Sequence, residues 1–297
     1  MSFFRRKLRS GPIVARLATA NDRSQIVRLA YSAEHRFLTS GMNELAELLA
    51  ADPTALIEID RRLVGALSFG WRAQPVAWIR TLLLHGEVPV LDALRELTAP
   101  LYVLLRRGGI TLAAVTLDEW SSPWLRKPLV ELGYRSMVEV VGYEKDHFDR
   151  PAAGNRAVSV RRAEPSDLGT VLALDAACFP LPWVKGAEIF EPAIASSPCF
   201  LIAAFSEEPV GYAFVTSHQA GQLFHLVRIA VAPAYQGMGI GVRLLAEIVD
   251  FCASRHADVL TLNTQADNYT AQRLYEWFGF VRTGERQTVL GLDLSVQ

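Results

Sequence analysis

The sequence predicts two α/β domains that repeat one another along the chain. Its 297 residues exceed the usual length of one domain, and 51% of them are apolar and 21% charged, which suits a protein with two cores. The same order of strand and helix patterns occurs twice, at an offset of about 146 residues. Residues 147–157 between the copies are polar, contain Pro151 and Gly154, and lack periodicity. We therefore place the domains at residues 1–150 and 157–297; chance likeness of two ordinary α/β domains is the alternative.

The composition excludes several classes of partner. A formal net charge of -1 gives no overall field that would attract nucleic acid or anionic lipid. The three cysteines show no metal-binding spacing, and their odd count argues against a disulfide framework, so we expect a reduced, cytoplasmic setting without a metal. Basic residues at the N-terminus precede no apolar run, so we expect neither a signal peptide nor a membrane partner. The oligomeric state stays open.

The second copy has the clearer pattern. A helix-capping residue, Ser166 or Asp167, precedes its first helix, and Gly279 closes its last one. Its strand and helix signals in chain order lie at residues 158–167, 168–178, 199–205, 210–218, 223–232, 242–255, 258–264, 269–279 and from 281 to the end.

The first copy shows the same signals in the same order. Asp22 stands where the second copy has Asp167, and Gly133 and Tyr134 replace Gly279 and Phe280. Its predicted elements lie at residues 14–33, 55–60, 63–71, 76–84, 90–107, 111–118 and 123–134.

A glycine-containing segment between a strand and a helix carries the main functional signal, Gln236-Gly237-Met238-Gly239-Ile240-Gly241. Such a turn exposes backbone N–H groups at the positive end of a helix and can bind a phosphate. Glycine turns of this kind also serve as plain connectors. A Rossmann nucleotide site is disfavoured, because this turn follows a run of strands rather than opening the first βαβ unit.

The turn resembles the Q/R-x-x-G-x-G/A acetyl-CoA motif of the GNAT acetyltransferase superfamily, through Gln236, Gly239 and Gly241. A second motif of that family is matched downstream at the right distance, by Asn268, Ala271, Leu274, Tyr275, Gly279 and Phe280. The resemblance implies two tandem GNAT folds, each a mixed, mostly antiparallel, twisted sheet flanked by helices. It also implies acetyl-CoA as acetyl donor, with the cofactor-binding residues Ile229, Ala230, Val231, Gln236, Gly237, Met238, Gly239, Ile240, Gly241 and Asn268.

When the two copies are aligned at a constant offset, the first copy lacks the residues of both motifs. It has Val90, Ala93 and Arg95 at the positions of Gln236, Gly239 and Gly241, and Leu129 at the position of Tyr275. We expect a degenerate GNAT-like domain.

Tyr275 and His225 are the candidate catalytic residues. Tyr275 stands where the family places the acid that protonates the departing thiolate; packing on an amphipathic helix is the alternative. The resemblance puts the thioester carbonyl at a bulged backbone N–H near Ile229 or Ala230. Strand alternation would place His225, Val227 and Ile229 on one face, so His225 could act as base, or be only a hydrogen-bonded strand histidine.

The acceptor is the least certain prediction. Phe179-Pro180-Leu181-Pro182-Trp183 resembles a loop of ribosomal-protein N-terminal acetyltransferases, whereas the tandem architecture resembles mycothiol synthase, which acetylates a small molecule. Those enzymes commonly have a glutamate where this chain has Asn263. Phe179 and Trp183 would line a substrate slot or close the core. We predict acetyl transfer to a primary amine of a small molecule, protein or peptide; transfer of a longer acyl group, or acetyl-CoA binding without turnover by a sensor or scaffold, remain alternatives.

Overall fold

A computed structural model describes residues 13–73, 75–118 and 123–295 of the chain. The basic N-terminal residues discussed above lie outside these ranges. Within the described residues, no helix is both long enough and apolar enough to cross a membrane.

The chain forms two compact units. Unit 1 consists of Met1–Met137 and Thr288–Gln297, and unit 2 of Val138–Gln287. These bounds differ from the predicted domains in two segments, since residues 138–150 belong to unit 2 and residues 288–297 to unit 1. Backbone pairing accounts for the difference: residues 140–145 pair with a strand of unit 2, and the Leu294 N–H donates to the Thr111 carbonyl at 2.7 Å within unit 1.

Unit 1 builds its sheet from the first copy and the end of the chain. Its elements are β1 (Ala15–Leu17), α1 (Arg23–Ser32), β2 (His35–Leu38), α2 (Leu45–Ala51), β3 (Thr54–Ile59), β4 (Arg62–Ala73), β5 (Val76–Leu84), α3 (Val90–Arg107), β6 (Leu112–Asp118), α4 (Pro123–Glu131) and the part of β13 (Val281–Asp293) from Thr288. The strand order is β1-β3-β4-β5-β6-β13, with β2 also paired to β5.

Unit 2 has the corresponding order. Its elements are the part of β7 (Arg135–Lys145) from Val138, β8 (Val158–Arg162), α5 (Leu168–Cys178), α6 (Ala187–Ser196), β9 (Cys199–Phe205), β10 (Glu208–His218), β11 (Leu223–Val231), α7 (Ile240–Ser254), β12 (Val259–Gln265), α8 (Tyr269–Trp277) and the start of β13. The strand order is β7-β12-β11-β10-β9-β8. The pairs β5–β6 and β11–β12 are parallel, whereas the other pairs within these orders whose register is defined are antiparallel. The predicted fold class, a mixed and mostly antiparallel sheet flanked by helices, is thus confirmed.

Helices cover both faces of the sheet of unit 2. The predicted apolar stripe of α7 is fully buried on one face, at Leu244, Leu245, Ile248, Val249 and Cys252. On the other face, Val171 of α5 and Phe190 of α6 pack with the aromatic residues of β9 and β10. Asp167 stands at the N-cap position of α5, as predicted, but its side chain makes no capping bond to that helix. Its carboxylate instead accepts the Glu164 N–H at 2.7 Å, in the short turn before α5.

Three parts of the prediction need correction. The short elements β2, α2 and α6 carry too little periodicity to be recognised, and the last strands are one strand, β13. The offset between the copies is not constant: the connection before α3 is residues 85–89, but the longer residues 232–239 precede α7. Val90, Ala93 and Arg95 therefore lie inside α3 rather than at the position of the glycine turn.

A substitution of Gly154 can test how residues 147–157 pack against α7. Gly154 has φ +75°, and a Cβ atom there would collide with the backbone of Arg243 in α7. We expect Gly154→Ala to lower the free energy of unfolding by roughly 1–3 kcal/mol in urea denaturation, since neither backbone can give way easily.

Gly169→Ala is the matched control. Gly169 lies in α5, and a Cβ atom there would meet nothing within 4 Å. Helix propensity should make this variant up to about 1 kcal/mol more stable. Equal stability of the two variants would refute the packing of Gly154 on α7.

Candidate functional site

The central feature of unit 2 is the point where β11 and β12 separate. Their parallel pairing covers only Leu223–Leu226 of β11 and Val259–Leu262 of β12. Beyond it, β12 stays paired with β7 through Asn263–Gln265, and β11 stays paired with β10 through Val231. The separating strands leave a gap in the sheet, and a backbone edge of β11 faces into it.

The backbone of Ile229 faces this gap. The Ala232 N–H donates to the Val210 carbonyl at 2.8 Å, so antiparallel alternation directs the N–H and C=O of Ala230 toward β10 and those of Ile229 and Val231 away from it. Of the two positions expected to offer an N–H group, the structure therefore provides Ile229 and not Ala230. The side chain of Ala230 is buried on the α5 and α6 face.

A β-bulge lies at Val227, two residues before Ile229. The register with β10 shifts between Phe214, which pairs with Arg228, and Val215, which pairs with Leu226, so Val227 is the extra residue. The bulge breaks the predicted alternation. Val227 packs in the cluster on the α5 and α6 face, whereas Ile229 packs with Leu226 on the α7 face. The prediction that His225, Val227 and Ile229 share one face is wrong for this reason.

The glycine turn follows β11 at the mouth of the gap. Gly237 and Gly239 have φ +77° and +74°, a left-handed conformation that favours glycine. Gly239 caps α7, whose first hydrogen bond runs from the Arg243 N–H to the Gly239 carbonyl. The amides of Ile240 and Gly241 belong to the first turn and have no partner within the helix, which makes them donors to an anion.

Side chains around the turn fix its shape. Gln236 donates its amide to the Val231 carbonyl at 3.1 Å, and the half-buried Cys178 thiol donates to the same oxygen at 3.3 Å. From the opposite side, the Asn155 side chain donates to the Met238 carbonyl at 2.9 Å, and the Asn155 N–H donates to the Gly239 carbonyl at 3.3 Å. Because Asn155 engages these carbonyls, it orients the peptide planes of the turn.

Tyr275 lies in α8 within the α7-side core of unit 2. Its ring contacts Phe280 and Tyr143, with centroids 5.9 and 6.2 Å apart. Its hydroxyl has no hydrogen-bond partner among the described residues, and the whole residue is only 5% exposed. Burial raises the pKa of Tyr275 well above its usual value, so the phenol carries its proton at neutral pH.

His225 lies below the gap, in the paired part of β11. Its Nδ1 is 2.9 Å from the Thr261 hydroxyl of β12. Burial, with a smaller effect from His218, lowers the pKa of His225 to about 4. The imidazole is therefore neutral at pH 7, but it is a poor proton acceptor and lies next to paired backbone. This geometry does not support the predicted base role.

Asn268, the remaining predicted cofactor residue, caps α8. Its side-chain oxygen accepts the Ala271 N–H at 3.2 Å. Its side-chain amide group is exposed and stays available to a ligand. Among the residues that the structure describes, no three histidine, cysteine or acidic side chains are grouped as a metal ion would need.

A buried ion pair connects β11 to the segment that contains Phe179 and Trp183. Arg228 lies 2.9 Å from the completely buried Asp175 of α5, and the Tyr212 hydroxyl donates to the same carboxylate at 2.5 Å. Arg228 also donates to the Trp183 carbonyl, and its guanidinium lies 3.6 Å above the Phe179 ring. The Asp175 carboxylate further accepts the Lys185 N–H at 2.7 Å.

This network decides the position of both predicted substrate residues. Phe179 and Trp183 are half-buried at the start and end of a loop that is anchored at Asp175 and Arg228. The sequence analysis did not identify these two charged residues. Their signal was available: each is a charge inside an otherwise apolar element, of opposite sign to the other, and buried charges in such positions are usually paired.

The gap, the glycine turn and the buried phenol together form the candidate site, a groove along β11 that ends at the N-terminus of α7. Residues 169–280 match the acetyltransferase (GNAT) family. The matched residues all lie within unit 2.

The wider comparisons agree with this assignment. Over 59 residues the chain is 48% identical to N-alpha-acetyltransferase RimI of Mycobacterium tuberculosis, and over 97 residues it is 34% identical to mycothiol acetyltransferase of Streptomyces scabiei. These matches cover 20% and 33% of this chain, but only 35% and 30% of the two relatives. A solved tandem GNAT protein from the clavulanic acid biosynthesis pathway superposes with a TM-score of 0.64 at 16% identity, over 95% of this chain and 98% of that one. The chain thus has the tandem GNAT fold.

The Asp175–Arg228 pair should be sensitive to removal of one partner. Arg228→Met leaves a carboxylate buried without its cation, so we expect the free energy of unfolding in urea to fall by about 3–5 kcal/mol. Asp175→Leu combined with Arg228→Met removes both charges and should regain part of the loss.

Arg243→Met is the surface control for this experiment. It breaks the partly exposed pair with Glu247 one turn along α7, which should cost only about 0.3–0.5 kcal/mol. If Arg228→Met lowers the free energy of unfolding by no more than Arg243→Met does, the variant does not leave Asp175 as a buried charge without its partner.

The lowered pKa of His225 predicts a pH dependence of stability. The pKa is about 4 in the folded protein and 6.5 ordinarily, so the unfolded chain binds a proton first as the pH falls. Stability should therefore be lost between pH 6.5 and 4. We expect His225→Gln to lose roughly 1–2 kcal/mol less than the unchanged protein between pH 7 and pH 5, by urea denaturation at both values. If both proteins lose the same free energy of unfolding between pH 7 and pH 5, His225 binds a proton in the folded protein as readily as in the unfolded chain.

Proposed function

We propose that this protein is an N-acetyltransferase that moves the acetyl group of acetyl-CoA to a primary amine by direct attack. The observation that carries the proposal is the gap between β11 and β12, with a backbone donor at Ile229 inside it and a glycine turn at its mouth. Acetyl-CoA would supply the acetyl thioester and a pyrophosphate suited to such a turn.

Different residues of unit 2 would bind different parts of acetyl-CoA. The amides after Gly239 would hold the pyrophosphate, and Gln236, Gly237 and Met238 shape the turn that presents them. The Ile229 carbonyl and the Val231 N–H, which face the gap, would pair with the amide groups of the pantetheine arm in the manner of an added strand, and this leaves the Ile229 N–H for the thioester. Binding along an ordered edge aligns the thioester with an incoming amine.

Two groups serve the chemistry. The Ile229 N–H would polarise the thioester carbonyl as negative charge develops on its oxygen. The Tyr275 hydroxyl, protonated and without a protein partner, would donate a hydrogen bond to the departing sulfur. Because His225 is a weak base in the closed part of the sheet, the amine would lose its proton to solvent, and the rate should rise with pH until the amine itself is neutral.

The acceptor is proposed only as a primary amine. The names of the two relatives point to a protein N-terminus in one case and to a small molecule in the other.

In unit 1, the connection before α3 is shorter and ends in Pro89, and the buried Leu129 occupies the position of Tyr275. We propose that unit 1 is a degenerate copy that does not catalyse transfer.

Tyr275→Phe separates catalysis from binding. The variant keeps the ring in its core but removes the proton donor, so we expect kcat to fall about 100-fold or more. The dissociation constant of acetyl-CoA should stay within twofold, by calorimetry. Thiol release would be measured with a panel of N-terminal peptides, lysine peptides, polyamines and aminoglycoside-like amines.

Tyr269→Phe on the same helix is the control, because Tyr269 is exposed. An acetyl-CoA-binding protein that releases no thiol with any amine would favour a sensor or scaffold. Unchanged kcat in Tyr275→Phe would remove Tyr275 from the mechanism but leave the binding site intact.

Asn155→Ala tests the shape of the glycine turn. The variant loses the hydrogen bond to the Met238 carbonyl, which should weaken acetyl-CoA binding roughly 5- to 10-fold, as expected for about 1 kcal/mol. Asn43→Ala, at an exposed position of unit 1, should bind as the unchanged protein does. Equal affinity of both variants would mean that the turn keeps its conformation without Asn155.

A further inference from the structure

Unit 1 contains a basic cleft that the proposed acetyl transfer does not use. We call it the arginine cleft and define it by Arg28 of α1, Arg61 and Arg62 at the turn between β3 and β4, and His85 after β5. Its volume is about 380 Å³, and no carboxylate is among its lining residues. Leu29 and Leu63 form an apolar part of the wall.

A chain of hydrogen bonds holds Arg62 in place. Arg62 Nη2 lies 3.0 Å from His85 Nε2, and a guanidinium can only donate, so His85 Nε2 is the acceptor. The ring proton is then on Nδ1, which lies 3.2 Å from the Glu34 carboxylate. Glu34 also accepts the Gly86 N–H at 2.8 Å, and this bond keeps the pKa of the Glu34 carboxyl below its usual value. Arg62 is thus oriented before any ligand arrives.

The other two guanidinium groups of the cleft are uncompensated. Neither Arg28 nor Arg61 forms an ion pair or a side-chain hydrogen bond with any residue that the structure describes. Arg61 is held at the turn by its backbone, with φ +61° following Asp60 with φ +52°. Cations gathered on one wall repel one another, and an anion between them relieves that repulsion.

The corresponding turn of unit 2 has the opposite charge. Ser206 and Glu207 adopt the same left-handed pair of conformations there, with φ +50° and +70°. Glu207 and Glu208 stand at the positions of Arg61 and Arg62, and Glu208 accepts a hydrogen bond from the Tyr235 hydroxyl. The fold does not require arginine at this turn, so the basic cleft is a property of unit 1 alone.

We propose that the arginine cleft binds a small phosphate-bearing anion, with its phosphate between the guanidinium groups of Arg28, Arg61 and Arg62. Planar guanidinium groups bind phosphate oxygens in pairs of parallel hydrogen bonds, and they do so more strongly than neutral donors. Leu29 and Leu63 would contact an apolar part of the ligand. This site is independent of the acetyl-CoA site proposed for unit 2.

Calorimetry with inorganic pyrophosphate tests the proposal on the full chain. We expect binding that weakens with added salt and at least tenfold with Arg62→Ala. The triple variant Arg28→Ala, Arg61→Ala, Arg62→Ala should lose one equivalent of bound pyrophosphate. Pyrophosphate held at the glycine turn of unit 2 would remain in that variant, so the two sites are counted separately.

Two further variants complete the test. Arg107→Ala removes an exposed arginine of unit 1 outside the cleft and should bind as the unchanged protein does. His85→Leu leaves the three arginines in place but removes the acceptor for Arg62, so affinity should fall several-fold. No binding at millimolar pyrophosphate, or the same number of equivalents in the triple variant, would overturn the proposal.

Discussion

The functional geometry of unit 2 depends on the short parallel pairing between β11 and β12. Four structural facts meet there: the register ends at Leu226 and Leu262, the bulge lies at Val227, β10 holds the other edge of β11, and β7 holds the other edge of β12. Each strand is secured on its far side, so the two can separate without fraying. Backbone groups that would normally pair inside the sheet are left for a ligand, and the Ile229 N–H is one of them.

The buried charges of unit 2 serve the geometry of the loop more than the stability of the fold. In unit 1, Ala30 and Ala66 occupy the positions of Asp175 and Tyr212 and pack in an apolar cluster. The same fold is therefore built there without the ion pair, and apolar replacements of buried pairs are often as stable. What the pair adds in unit 2 is a fixed distance between β11 and the loop of Phe179 and Trp183, through hydrogen bonds to Trp183 and Lys185.

Strong periodicity made most of the fold predictable. The buried stripe of α7, the position of Asp167 before α5 and the glycine turn before α7 follow directly from residue patterns. The copies were recognised from the order of elements, but a constant offset failed before α3, since length differences between loops leave no trace in periodicity. Strand exchange at the domain ends was also invisible, because β7 and β13 look like ordinary strands whichever neighbour they pair with.

The site was predictable where it consists of backbone and less so where it depends on packing. The glycine turn was located correctly, yet alternation from His225 to Ile229 failed, because one bulged residue reverses every following side chain. The role of Asn155 could not be read from a segment without periodicity. The depressed pKa of His225 depends on burial by distant elements, which a sequence does not display.

Hydrogen exchange with and without acetyl-CoA tests the central claim most directly. If the ligand lies along β11 and against the glycine turn, amide exchange should slow in residues 227–231 and 238–243, and the effect should be largest at Ile229 and in the first turn of α7. Slower exchange confined to other parts of unit 2, with these two segments unchanged, would contradict the account.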